Sequence, residues 1–361
     1  MNYSGRIRKL RRHLPKQSVE ALWITHLPDV RYLCGFTGSS AVLMITARKA
    51  VLFTDGRYTS QAKQEVEGAQ VRISTKSTVK EAVAWLATEV ASAAVDPAAT
   101  TLADLDAYRE ALPGRGKKNF FRLLTEPIVM NLRLIKDEDE IHLMEAAAAM
   151  GCHLFERIVP HLRAGMTEME AAAELEFFAR SLGAEGMAFD TILASGVRSS
   201  LPHGHASMAK LPRKGFVTLD FGVMLKGYLS DMTRTVHLGR ATREEQAVYD
   251  AVLAAQMAGV AAVRPGATMA SVDEAARSVL REAGFADYFT HGTGHGVGLE
   301  IHEPPRFAAG QEAKLKAGMV VTIEPGVYLP EKFGVRIEDM VVVTETGGRV
   351  ITPAPKAWME L

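Results

Sequence analysis

The chain has 361 residues, 47% of them apolar, which is more than one ordinary core holds and suits two domains. Lysine plus arginine equal aspartate plus glutamate at 42 each, so no net charge draws the protein to nucleic acid or to an anionic membrane. The two cysteines, Cys34 and Cys152, lie far apart and argue against a disulfide framework, as in a reducing cytoplasm, and no apolar run reaches the ~18 residues of a membrane helix.

The opening MNYSGRIRKLRRHLP sets Ile7, Leu10 and Leu14 at helical spacing and lacks the apolar stretch of a secretory signal, so an amphipathic first helix is expected. The apolar runs ALWITH, AVLMIT and AVLFTD alternate with the helical patterns TSQAKQEVEG and TVKEAVAWLATEVA. That alternation predicts an α/β domain of about 120 residues. Within it TDGRY, residues 54–58, reads as a strand end and turn. Pro127 punctuates the next segment, so the expected division is 1–127 and 128–361. KDEDE then opens a long Ala-rich helix, its carboxylates suiting the positive end of the helix dipole.

The second part echoes itself. RAGMTEMEAAAELEFFARSLG and RPGATMASVDEAARSVLREAG share Arg, Gly and Thr at the start and Arg and Gly at the end, all offset by 101. Thr218, Asp220 and Gly222 align with Thr322, Glu324 and Gly326 at an offset of 104. Two matches in the same order suggest a duplicated unit with a pseudo-two-fold axis, whose equivalent strands bring equivalent carboxylates to one site.

Residues 291–305, HGTGHGVGLEIHEPP, admit several readings. Glycines at 292, 294, 296 and 298 alternate strictly and never satisfy the dinucleotide fingerprint, and no phosphate-loop lysine follows. His291 and His295 have helical spacing, but the glycines between them cost roughly 1 kcal/mol each in a helix. An extended, glycine-lined strand or loop fits better, with both histidines on one face and the glycines letting backbone or a substrate peptide approach closely. A surface turn with incidental histidines is the alternative. Three histidines within twelve residues, of eleven in the chain, weigh against it.

Four acids join this stretch: Asp220 in VTLDFG, Asp231 eleven residues on, Glu324 in VVTIEPG and Glu338 in GVRIEDMVVV. Each alone also fits an exposed strand end. Buried in apolar strands, they would be costly unless paired, protonated or metal-bound. With one histidine they form an oxygen-rich set suited to two divalent ions, Mn²⁺ or Co²⁺ with Zn²⁺ possible, and without the thiolates of a structural zinc site.

These residues resemble the metallopeptidases of the pita-bread fold: aminopeptidase P, prolidase and methionine aminopeptidase. The family pattern is matched by Asp220, Asp231, His295 in His-Gly-x-Gly-His-Gly, Glu324 in Glu-Pro-Gly and Glu338 in Arg-x-Glu-Asp. The resemblance implies an α/β (α+β) fold, in which a creatinase-like α/β domain for substrate gating and dimerisation precedes a pseudo-two-fold catalytic domain. It implies two divalent metals on the five ligands, Mn²⁺ first. The expected activity is removal of the N-terminal residue from peptides with proline second. The alternatives are a dipeptidase acting only on Xaa-Pro and a non-catalytic scaffold of the same fold. Glu324 would also take a proton from the attacking water. His203 and His302 would stabilise the oxyanion, and His291 would lie near the proline. Arg306 and Arg336 would contact substrate or orient the carboxylates. Proline-containing peptides, a homodimer and a cytoplasmic location complete the expectation, with no nucleic acid and no membrane.

Overall fold

Ile7, Leu10 and Leu14, one helical turn apart in sequence, are all buried, on α1 (Tyr3–Arg11) and the turn that follows it. The computed structural model describes residues 1–114 and 119–361 and divides into two units, Met1–Arg133 and Leu134–Leu361.

The first unit runs α1, β1 (Ala21–Ile24), α2 (Leu27–Cys34), β2 (Val42–Thr46), β3 (Ala50–Asp55), α3 (Thr59–Glu65), β4 (Gln70–Ser74), α4 (Thr78–Glu89), β5 (Ala93–Val95), α5 (Leu102–Glu110), β6 (Phe121–Leu123) and α6 (Ile128–Arg133). Among the described residues the strands form one sheet in the order β4-β3-β2-β1-β5-β6. Its central strands are buried along almost their whole length, which is why ALWI, VLMIT and AVLFTD are apolar throughout rather than alternating. Asp55 ends β3 and accepts the Arg57 backbone N–H, so TDGRY is a strand end running into a single 3₁₀ turn.

The division falls after Arg133 rather than at Pro127. Pro127 sits at the head of α6, where its carbonyl accepts from Asn131 N and its own missing N–H costs nothing. Arg133 Nη1 then donates to buried Asp29 Oδ1 at 2.8 Å, and Tyr32 Oη donates to Leu132 O. These bonds fasten 128–133 to the first unit.

The second unit runs α7 (Glu138–Ile158), α8 (Glu168–Ser181), β7 (Gly186–Met187), β8 (Ile192–Ser195), β9 (Gly215–Phe221), β10 (Val223–Leu225), β11 (Tyr228–Leu229), β12 (Met232–Leu238), α9 (Arg243–Ala262), α10 (Met269–Glu282), β13 (Gly294–Gly296), β14 (Glu303–Phe307), β15 (Val320–Ile323), β16 (Gly326–Leu329), β17 (Phe333–Arg336), β18 (Asp339–Val343) and β19 (Gly348–Val350). A capping box between Asp137 and Glu140 starts α7, where KDEDE supplies the acids.

The duplication is visible bond by bond. Gly165 N donates to Leu211 O and Gly266 N to Leu315 O, each at 2.9 Å. Glu168 N donates to Ala209 O and Met269 N to Ala313 O; Met169 N donates to Ser207 O and Ala270 N to Gln311 O. Thr167 and Thr268 cap α8 and α10 with their hydroxyls, and Gly165 and Gly266 share a left-handed φ of 88° and 85°. In each half a strand goes out and its antiparallel partner returns: β9 with β12, and β15 with β18. The halves meet where Glu338 N donates to Thr233 O at 3.1 Å and Thr235 Oγ1 donates to Arg336 O at 2.9 Å. Asp220 lies on β9, Asp231 directly ahead of β12, Glu324 directly after β15 and Glu338 directly ahead of β18.

Of the two approaches expected at the glycines around His295, that of backbone is the one the packing shows. A Cβ on Gly292 would stand 2.2 Å from Phe307 O, on Gly294 2.0 Å from Thr322 O, and on Gly296 2.1 Å from Pro304 O. They let β13 lie between β14 and β15, whose backbones press on it from either side. Clearance for the neighbouring strands dictates them, and Gly292 and Gly294 also line the cavity described below. Gly294→Ala must therefore push β13 away from β15. It should destabilise the protein by about 1–3 kcal/mol, read as an earlier midpoint in urea unfolding; an unchanged midpoint would contradict this packing.

Candidate active site

The strand ends converge on a cavity of about 690 Å³ in the second unit. Asp220, Asp231, His295, Glu324 and Glu338 line it. So do His203, His291, His302, Arg306 and Arg336, so every site residue expected from the sequence faces one space.

The acids form its buried wall. Ligand atoms of Asp231, His295 and Glu338 lie within 4.8 Å of one another. His295 Nε2 is 3.6 Å from Asp231 Oδ2 and 3.4 Å from Glu324 Oε1. His295 Nδ1 lies 3.0 Å from Gly296 O, and a carbonyl can only accept, so Nδ1 carries the proton and Nε2 presents a lone pair to the carboxylates. Burial drives the Asp231 carboxyl well above its usual range, and the charges of Asp220 and Glu324 drive it further. Glu338 is raised in the same way by burial, then by Asp231 and Glu324. Burial also raises Glu324, although His291 and Arg336 pull the other way, and burial lowers His295. A cluster of buried acceptors with so few donors fits a divalent cation, which would satisfy the lone pairs, reverse the rise of the three carboxyls and keep His295 neutral.

Arg336 is the organising cation. It donates from Nη2 to Asp220 Oδ2 at 2.6 Å, from Nε to Thr233 Oγ1 at 3.1 Å, and from Nη1 to Tyr328 Oη at 2.7 Å and Pro202 O at 2.9 Å. Burial works against its charge, but Tyr328, Asp220 and Glu324 hold it well above the ordinary arginine range. Thr233 passes the hold on, donating to Glu338 Oε2 at 2.7 Å. Thr322 does the same in the other half: its hydroxyl accepts from His295 N and donates to Glu324 Oε1 at 3.2 Å. Asp220 is thus gripped by Arg336, while the tighter three-residue cluster forms from Asp231, His295 and Glu338.

His291 is spoken for at both ring nitrogens. Nδ1 donates to Gly292 O, and Nε2, 2.9 Å from Tyr328 Oη, accepts its proton. Burial lowers its pKa, so the ring is neutral and offers the cavity an apolar face. His203, His302 and Arg306 are exposed on the same cavity, and the His302 ring lies 4.5 Å from that of His295. Burial, followed by the charge of His295, lowers His302.

Four contributors were given no role at the site in the sequence. Tyr328 follows Glu324 by four residues, and its hydroxyl, pushed up to about 12 by burial, links Arg336 to His291. Thr233 and Thr322 look like ordinary β-branched strand residues. His205, two residues after His203 in an extended segment, also lines the cavity, and that spacing was a usable signal.

Comparison with known proteins agrees with this geometry. Residues 142–345 match metallopeptidase family M24, and residues 6–135 match the creatinase/prolidase N-terminal domain. The chain is 33% identical to the Xaa-Pro dipeptidase of Pyrococcus horikoshii over 349 residues, covering 96% of each. The structure of an Xaa-Pro dipeptidase from Bacillus anthracis superposes with a TM-score of 0.95 at 38% identity, covering 100% of both chains. That of an X-Pro aminopeptidase from Thermotoga maritima gives 0.88 at 35% identity, covering 97% of this chain and 100% of the other. The chain belongs to metallopeptidase family M24 and is a hydrolase with a creatinase-type N-terminal domain and a pita-bread catalytic domain.

Proposed function

We propose that the protein is a metal-dependent Xaa-Pro dipeptidase. The full-length likeness to the B. anthracis dipeptidase carries this reading. It moves the dipeptide ahead of the longer peptides expected from the sequence. Aminopeptidase action on Xaa-Pro-Yaa remains a second reading, favoured by the T. maritima structure.

Asp220, Asp231, His295, Glu324 and Glu338 would hold two divalent ions, Mn²⁺ being the best match to oxygen donors with one imidazole. Bound there, the ions would supply Lewis acidity and a water acidic near neutral pH. Glu324, which lines the cavity 3.4 Å from His295 Nε2, would be the residue to accept a proton from the attacking water. His203 and His302, exposed on the cavity, donate to the scissile carbonyl oxygen as charge develops on it. The proline nitrogen is tertiary in the substrate and leaves as a secondary amine, taking up the proton that Glu324 received. Neutral His291 packs against the proline ring without competing for protons. The ammonium end of a dipeptide faces the acids and its carboxylate faces Arg306, so a two-residue substrate answers both charges. The same reading carries a homodimer built through the N-terminal unit.

Chelation should abolish activity and Mn²⁺ restore it. In Mn²⁺ an Xaa-Pro dipeptide should be cleaved with a kcat/KM at least about tenfold above that of the matching Xaa-Pro-Yaa; the reverse order would favour the aminopeptidase. His302→Ala should lower kcat by about 10²–10³-fold with metal content, measured by elemental analysis, unchanged.

The raised carboxyls also set the pH response of the metal-free protein. The folded state binds the Asp231 and Glu338 protons more tightly than the unfolded chain does. Stability contributed at low pH is therefore lost as pH rises through the raised values. Glu338→Gln removes one such group. Its metal-free Tm at pH 8 should exceed that of the wild type, by about 2–4 °C for each kcal/mol relieved, while metal-induced stabilisation shrinks. A lower metal-free Tm at pH 8 would count against a repelling cluster.

A further inference from the structure

We propose that the buried Lys136–Glu303 ion pair is a clamp that positions His302, an inference that rests on the dipeptidase reading for its catalytic half. His295 and His302 lie on either side of a hairpin loop: β13, which holds His295, stops at Gly296, β14 begins at Glu303, and residues 297–302 form the loop between them, with His302 its last residue. Glu303 turns its carboxylate back into that loop. Its Oε1 accepts from Leu299 N at 3.0 Å and from Glu300 N at 3.3 Å, and its Oε2 accepts from Lys136 Nζ at 3.0 Å. Both side chains of the pair are at most 2% exposed.

The approach depends on Gly298. A Cβ there would lie 2.7, 2.8 and 2.9 Å from the three carboxylate atoms of Glu303. Gly298 O in turn accepts from Leu229 N at 2.9 Å, which ties the loop tip to β11. Lys136 is fixed from its own backbone, where its N–H donates to Gly318 O at 2.8 Å. The ammonium is thus a rigid post, the carboxylate a hook, and the loop amides are what the hook holds. Buried ion pairs are poor stabilisers, since an apolar pair of equal volume often does as well. What this pair adds is direction. It fixes the residue directly before Pro304, and with it the His302 ring beside His295.

The two halves of the proposal have separate readouts. The first is amide hydrogen exchange in metal-free protein, comparing wild type with Lys136→Met. Exchange at Leu299 and Glu300 should speed up by about tenfold or more, while amides of β9 keep their protection. The second is kcat on an Xaa-Pro dipeptide in Mn²⁺, with Lys136→Met placed in the wild type and in His302→Ala. Lys136→Met should lower kcat by about tenfold in the wild type with KM little changed. In the His302→Ala background it should change kcat by less than about twofold, because the group it positions is already gone. The charge-free variant Lys136→Met with Glu303→Gln leaves no buried ion unpaired; it serves if the single variant does not fold, and the same results are expected of it. Unchanged exchange at Leu299 and Glu300 would overturn the clamp. An equal loss of kcat in both backgrounds would overturn its action through His302. Wild-type protein inactive on dipeptides would refute the dipeptidase reading instead, and the exchange measurement alone would then decide the clamp.

Discussion

Mutual repulsion among buried acids is the constraint on which the second unit is built. Asp220, Asp231, Glu324 and Glu338 are brought to one wall of a cavity, where each is largely withdrawn from solvent. No chain gathers such groups for stability, since burial pushes Asp231, Glu324 and Glu338 toward their neutral forms and neighbouring acids push Asp231 and Glu338 further. Arg336 offsets part of the charge at Asp220, and the hydroxyls of Thr233 and Thr322 each donate one bond. What is left is an acceptor-rich pocket that fits the divalent metals of its family.

The duplicated frame is what makes so costly a cluster possible. Each half supplies an outgoing strand and a returning strand, and each of these carries one acid at its end. The backbone bonds repeated between the halves fix helices to strands before any acid is placed. The seam between the halves is made of the same residues that serve the site: Glu338 N bonds to Thr233 O, and Thr235 Oγ1 bonds to Arg336 O. Buried Asp339, next to Glu338, is held by Arg234, Gln256 and Lys356, so a charged network stands behind the site as well as within it.

Much of this was legible in the sequence because it is carried by residue type at fixed spacing. The acids, the histidines and the offset repeats are visible as letters, and the cavity gathers all of them. What escaped was carried by contact. Tyr328 matters because its hydroxyl reaches His291 and Arg336 at once, which no spacing rule encodes. The glycines of the histidine stretch were seen as sites of close approach, but not which backbone approaches, because a residue without a side chain gives no hint of what crowds it; carbonyls of β14 and β15 do so here. Pro127 looked like punctuation and proved to be the head of a helix, since the Arg133–Asp29 bond that joins α6 to the first unit spans more than a hundred residues. Dipeptide against longer peptide was not readable from the five expected ligands, which would serve the same chemistry in either case.

The histidines show how one residue type is divided among tasks by its surroundings. His295 spends its proton on Gly296 O and so keeps Nε2 free to face the acids. His291 spends one nitrogen on a carbonyl and the other on a tyrosine, which leaves it an apolar wall. His302 and His203, exposed on the same cavity, keep edges turned to solvent and to whatever enters. A neutral imidazole has one donor and one acceptor, so its role follows from which of them the protein has already used. On that reasoning the residues that orient the rings matter as much as the rings. Tyr328 does this for His291, and the hairpin anchored at Glu303 does it for His302.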